Sequence, residues 1–116
     1  MNIVIAGAGE VGTHLAKMLS QEEQNIVLID PNPKRLELAA MRSELLPQVG
    51  NPLSPSDLLQ ANVKYADLFI SVMPEEADNI LACALASQEK RWHASTTTNS
   101  SNPTWHSTSA IWESIP

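Results

Sequence analysis

Four positions near the start of the chain combine residue types and spacing that can do chemistry. Gly7, Gly9 and Gly12 stand in the spacing G-x-G-x-x-G, within the run Gly7-Ala8-Gly9-Glu10-Val11-Gly12, and Asp30 follows eighteen residues after the last of them. In that spacing Gly7 allows a tight turn off a strand. Gly9 lets backbone amides come close to a diphosphate, and Gly12 lets the following helix pack closely on the sheet. A helix that begins there turns its free N–H groups and its positive dipole end toward the phosphates. Glu10 and Val11 then contribute amides rather than side chains. The Asp30 carboxylate can accept both hydroxyls of a ribose, which favours an unphosphorylated sugar. Arg35 lies close in sequence and could meet a 2′-phosphate, but Asp30 would repel one.

These residues work only if the elements around them hold them together. Residues 2–6 are a continuous apolar run, as expected of a central parallel strand buried on both faces. Val11, Leu15, Met18 and Leu19 then fall on one face of a helix. A polar break at 21–24 precedes a second apolar strand at 26–29, which ends in Asp30. Pro33 fits the first turn of the next helix, whose inward residues are expected to be Leu36, Ala39 and Ala40. Residues 44–49 are expected to form a poor third strand, since Pro47 removes a ladder donor. Ser54 and Asp57 could form a capping box at the next helix start, with Leu58, Leu59 and Ala61 following. Residues 67–72 read as a strong fourth strand. Residues 75–88 read as a helix with Ile80, Leu81, Ala84 and Leu85 inward and acids in its first turn. Alternating strands and helices imply an α/β fold, a doubly wound parallel sheet of Rossmann-like type with right-handed crossovers.

The chain has 116 residues, 43% of them apolar, which is enough for a single domain with one covered core. Its net charge is −6, with only seven Lys and Arg, so the basic stripe of a nucleic-acid binder is missing. No apolar run reaches the roughly 18–20 residues that span a bilayer. The amino terminus lacks the basic region of a signal peptide. A cytoplasmic location is expected. Cys83 is the single cysteine and reads as a buried thiol acting as a small hydrophobe.

After Arg91 the character changes: all three tryptophans and many Ser and Thr lie there. Residues 95–98 could form a fifth strand, and residues 101–116 are expected to be a loosely ordered tail behind a domain of residues 1–100.

Fold-class logic places further ligand contacts at the carboxyl ends of strands. Asn51 could reach an adenine, and Val72 and Met73 could line the ribose–phosphate side. Asn79 reads equally as a surface helix residue or a contact. Catalytic groups are scarce. His14, near the phosphate site, reads first as an ordinary helix residue. His14, His93, His106 and Cys83 show no metal-ligand spacing, and no Ser, His and acid arrangement can be argued.

Four blocks, IVIAGAGEVGTHLAKML at 3–19, VLID at 27–30, ADLFISV at 66–72 and NILACAL at 79–85, resemble the N-terminal domain family (RCK or KTN type) of TrkA potassium-uptake regulatory proteins. The resemblance covers residues 1 to about 90. It implies a non-enzymatic regulatory subunit, cytoplasmic and peripheral to the inner face of the cell membrane through a potassium-transporting membrane partner. It also implies a homodimer or higher homo-oligomer that binds NAD+ or NADH, or ATP or ADP in close relatives. Carried over by position, Gly7, Ala8, Gly9, Glu10 and Val11, with Gly12 beneath them, would hold the diphosphate and Asp30 the ribose. Asn51, Val72 and Met73 would line the rest. The chain departs from the family pattern at Asn51-Pro52, at Met73 where Thr is usual, and at 98–103, which lack an Ala-Arg pattern. With no second ligand-binding lobe, a minimal or truncated version is expected. The alternative is the cofactor-binding domain of an NAD-dependent oxidoreductase, whose substrate pocket and acid–base pair would have to be found.

Overall fold

The computed structural model describes the backbone of residues 1–94, 100–105 and 110–115, and the side chains of residues 1–89. Strands β1 (Asn2–Ala6), β2 (Asn25–Asp30), β3 (Leu46–Val49) and β4 (Leu68–Ser71) form a parallel sheet in the order β3-β2-β1-β4. The apolar runs of β1 and β2 lie at its centre, Ile3 opposite Ile26 and Ile5 opposite Leu28. β3, with Pro47, takes the edge, where a missing N–H costs least. Beyond β4 the sheet continues with an antiparallel pair, β5 (Ser100–Trp105) and β6 (Ala110–Ile115), β6 lying next to β4. The strand expected at 95–98 and the side chain of His106 lie outside the described residues.

Helices cover both faces. α1 (Glu10–Ser20) and α2 (Pro33–Arg42) pack on one side over Ile3, Ile5, Ile26 and Leu28. On the other side α3 (Pro55–Gln60), a 3-10 turn at Val63–Tyr65 and α4 (Glu76–Ala94) cover Val4, Ala6, Ile29 and Phe69. This is the doubly wound α/β arrangement expected from the alternation of elements, in a single domain. Asn32 caps α2 through its side-chain oxygen, which accepts the Lys34 N–H at 3.0 Å, and Pro33 takes the first turn. Among the described residues, no helix is long and apolar enough to cross a membrane.

The helix faces differ from those the apolar spacing predicts. On α1 the buried residues are Gly12 and Ala16, with Leu15 and Leu19 partly buried, while Val11 and Met18 are 59% and 53% exposed. On α2 Leu36 and Ala39 are buried but Ala40 is exposed. On α4 the inward residues are Asn79, Ala82, Cys83 and Ala86. Ile80, Leu81 and Ala84 point outward, and Leu85 is partly buried. On α3 Leu58 is buried as expected, but Leu59 is exposed. The common cause is close helix–sheet contact, which selects small side chains at the interface and turns bulkier ones to its margins. The capping box also fails to form. The Ser54 hydroxyl pairs with Ser56, and Asp57 accepts the Asn51 N–H at 2.9 Å instead.

Cys83 is fully buried, and burial pushes its thiol from 9.0 up to about 12. Because the thiolate is the reactive species, the native protein at pH 8 should resist a disulfide reagent and react only on unfolding. Rapid native-state labelling would contradict this placement. The folded chain holds the thiol proton more tightly than the unfolded one. Its contribution to stability is therefore complete below pH 9 and falls as pH rises toward 12.

Candidate functional site

The glycine turn is built from three positions with different demands. Gly7 has φ +110°, a region that L side chains rarely adopt, and a Cβ there would stand 3.0 Å from the Val72 carbonyl oxygen. Its N–H donates to the Ile29 carbonyl at 2.9 Å, fastening the turn to β2. At Gly12 a Cβ would fall 1.7 Å from the Gly7 carbonyl oxygen, so α1 can start this close to the turn only without a side chain. Gly9 is different. Its φ of −76° and ψ of −164° suit any residue, and a Cβ would meet no atom within 4 Å. The fold does not require glycine there, and the space in front of it is open. Gly9 caps α1 with no side-chain bond, and the first-turn amides of Glu10 and Val11 have no carbonyl one turn earlier to bind.

Asp30 closes β2 beneath this turn. It is 5% exposed, and its two oxygens are divided between two loops. Oδ2 accepts the Ala8 N–H and Oδ1 the Asn32 N–H, both at 2.8 Å. The carboxylate thus ties the glycine turn to the start of α2 and keeps lone pairs beyond those two bonds. Thr13 adds a bond from its hydroxyl to the Ala8 carbonyl at 3.2 Å.

The opposite wall is held from behind. The Val72 N–H donates to Ala6 at 2.9 Å, continuing the β1–β4 ladder. Asn79 is fully buried on α4 and grips the next residue twice. Its Oδ1 accepts the Met73 N–H at 2.6 Å, and its Nδ2 donates to the Met73 carbonyl at 2.9 Å. The same Oδ1 accepts the Ser71 hydroxyl at 2.9 Å. Asn79 is neither of the things its sequence position suggested; it is a buried clamp on the wall of the site. The signal that could have found it is its place one turn inside α4, level with the strand end it serves.

Between these walls, at the carboxyl edge of the sheet, lies a cleft of about 500 Å³. Gly7, Gly9, Glu10, Val11, Asp30, Val72 and Met73 line it together with Arg35, joined by Leu15, Ile70 and Pro74, which sequence reasoning did not place there. Ala8 faces Asp30 and Gly12 lies under the turn. Asn51 is not among the lining residues: its Oδ1 accepts the Leu53 N–H at 2.9 Å in a local turn. His14 is exposed on α1 outside this cleft. A second cavity, about 650 Å³, opens at the amino ends of β1 and β2 beside Asn2, Asn25 and Tyr65, with no glycine turn or helix start. The glycine cleft offers unpaired amides, a helix dipole and no side chain in the way. The residues present fit a bound diphosphate.

Two solved structures share this architecture. A mutant short-chain dehydrogenase/reductase of Serratia marcescens aligns with a TM-score of 0.60 at 19% identity, over 79% of this chain and 49% of its own. A putative NAD-dependent epimerase/dehydratase from Bacillus halodurans aligns with a TM-score of 0.53 at 15% identity, over 83% and 46%. They establish the Rossmann-like fold. The sequence model of the TrkA-N domain matches residues 3–106. The chain belongs to the TrkA-N domain family. Trk system potassium uptake proteins TrkA from Azorhizobium caulinodans and Haemophilus influenzae are 32% and 36% identical to it over 72% and 73% of its length. A TrkA homologue from Pyrococcus abyssi is 38% identical over 74%. The matched segments make up 18%, 19% and 38% of those three proteins. This chain thus corresponds to the TrkA-N part of longer potassium-uptake proteins.

In this TrkA-N domain, Asn79→Ala would leave the Met73 amide and carbonyl without partners. The expected cost is about 2–4 kcal/mol in urea unfolding. A loss below about 1 kcal/mol would show that the clamp contributes little.

Proposed function

We propose that the chain is the nucleotide-sensing regulatory domain of a potassium uptake system, with NAD+ or NADH in the glycine cleft and ATP or ADP as the alternative occupants. The observation that carries this reading is Gly9, a glycine the fold does not need, facing open space beside unpaired amides. In this reading Gly7, Ala8, Gly9, Glu10, Val11 and Gly12 build the diphosphate cradle. Asp30 accepts from the ribose while holding Ala8 and Asn32. Val72 and Met73 form the facing wall. Residues 1–100 carry the elements of this site, and the strands at 100–105 and 110–115 extend their sheet beyond β4.

The role is binding rather than catalysis. The charged groups lining the cleft are Glu10, Asp30 and Arg35, and Asp30 is held by two backbone donors. No pair is set up for proton transfer to a substrate. Ligand occupancy would instead shift the population of two arrangements according to its differential affinity for them. The potassium-uptake names of the relatives support a membrane potassium-transporting partner, with the domain on the cytoplasmic side. Exposed Met18, Ile80 and Leu81 support assembly into a homodimer or larger homo-oligomer.

Titration with NADH, followed by nicotinamide fluorescence, tests the reading. Gly9→Ala should leave the melting temperature within about a degree yet weaken binding by tenfold or more, because its methyl enters only ligand space. Asp30→Ala should weaken binding by about 1.5–3 kcal/mol. Undiminished NADH affinity in Gly9→Ala would remove the diphosphate from this cleft.

A further inference from the structure

We infer that the groove between α1 and α2 is a subsite for a phosphate group, adjoining the glycine cleft but outside it. The groove is about 500 Å³ and is lined by His14 and Lys17 from α1 and by Arg35 and Arg42 from α2. A chain with a net charge of −6 and seven Lys and Arg has placed three of the seven here. Among the described residues, none of the three has an acid within ion-pair distance. Glu10 lines the mouth and is the only acid among the lining residues. Cations gathered in a concave surface without ion-pair partners repel one another, and a bound anion relieves that repulsion.

Position links this groove to the nucleotide. Gly9, Glu10 and Arg35 line both the groove and the glycine cleft, so the two spaces meet at the mouth. Arg35 stands in the first turn of α2, level with the glycine turn. Lys17 and Arg42 lie in the last turns of their helices, about 10 Å further down at 1.5 Å per residue. The sequence argument against a phosphorylated ribose was repulsion by Asp30. In the structure Asp30 is 5% exposed, with one oxygen on the Ala8 N–H and the other on the Asn32 N–H. Asp30 keeps its charge there with each oxygen already paired to a backbone N–H, and against it and Glu10 stand Arg35 and, further down the groove, Lys17 and Arg42. The ligand is a phosphate dianion, carried on the nucleotide's ribose or free in solution. The ribose-linked arm rests on the nucleotide reading proposed above; the free-phosphate arm does not.

The test compares NADH and NADPH by fluorescence titration at low ionic strength, alongside thermal shifts in sodium phosphate and in sodium chloride of equal ionic strength. The wild-type chain is set beside Arg35→Gln and the double variant Lys17→Gln/Arg42→Gln. NADPH should bind at least as tightly as NADH. The ratio of the two affinities should fall about tenfold in Arg35→Gln and several-fold in the double variant, while the double variant leaves NADH affinity within about twofold. Phosphate should raise the melting temperature of the wild type more than chloride does, and the double variant should lose that difference. A wild-type preference for NADH of tenfold or more, or a ratio that the variants leave unchanged, overturns the ribose-linked arm while NADH binding keeps the cleft reading. If neither dinucleotide binds, the cleft reading fails by itself. The groove then stands or falls on phosphate: a phosphate-specific shift abolished in the double variant upholds it, and equal shifts in phosphate and chloride overturn it.

Discussion

Between β1 and α1 the chain must reverse and begin a helix while pressed against its own turn. The Gly7 carbonyl and the Gly12 α-carbon are so close that a single methyl between them would overlap. Most of the upper edge of the sheet depends on that contact. It aims the first turn of α1 across the end of β1, so that the helix dipole and the free amides of Glu10 and Val11 point into one cleft. Behind Gly7 the Val72 carbonyl runs close enough that a Cβ there would stand 3.0 Å from its oxygen. Asp30 then needs only its own two oxygens to lock the turn to the next loop. A turn of this kind is rigid because its donors are main-chain atoms fixed by packing.

The same close packing explains what could and could not be read from the sequence. β1, β2 and β4 were legible because strands buried on both faces must be continuously apolar, and the glycine spacing located the turn. The helix faces were misjudged for a physical reason. Where helices lie close to a sheet, the interface is made of Gly12, Ala16, Ala82, Cys83 and Ala86, residues too small to dominate an apolar periodicity. Val11, Met18, Ile80 and Leu81 carry more hydrophobic bulk and stand at the margins. Asn79 was ambiguous because a polar residue in a helix defaults to solvent. Its burial makes sense only once the strand end it clamps is known. The β5–β6 pair was not legible, since serines, asparagine and proline across 100–103 carry no apolar alternation.

Two kinds of glycine emerge from the same motif. Gly7 and Gly12 answer to the fold, one through its positive φ and the other through contact, and both would be kept by a domain that bound nothing. Gly9 answers only to what lies in front of it. The wall opposite Gly9 is gripped by a side chain of α4, whose outer face carries exposed Ile80 and Leu81.

The most direct test of the cradle is a map of backbone amide resonances of the 15N-labelled chain during titration with NADH. The account predicts that the largest shifts fall on Gly9, Glu10 and Val11, with smaller ones at Ala8, Asn32 and Met73. Shifts concentrated instead around Asn2, Asn25 and Tyr65 at the opposite edge, or no shifts at saturating ligand, would contradict it.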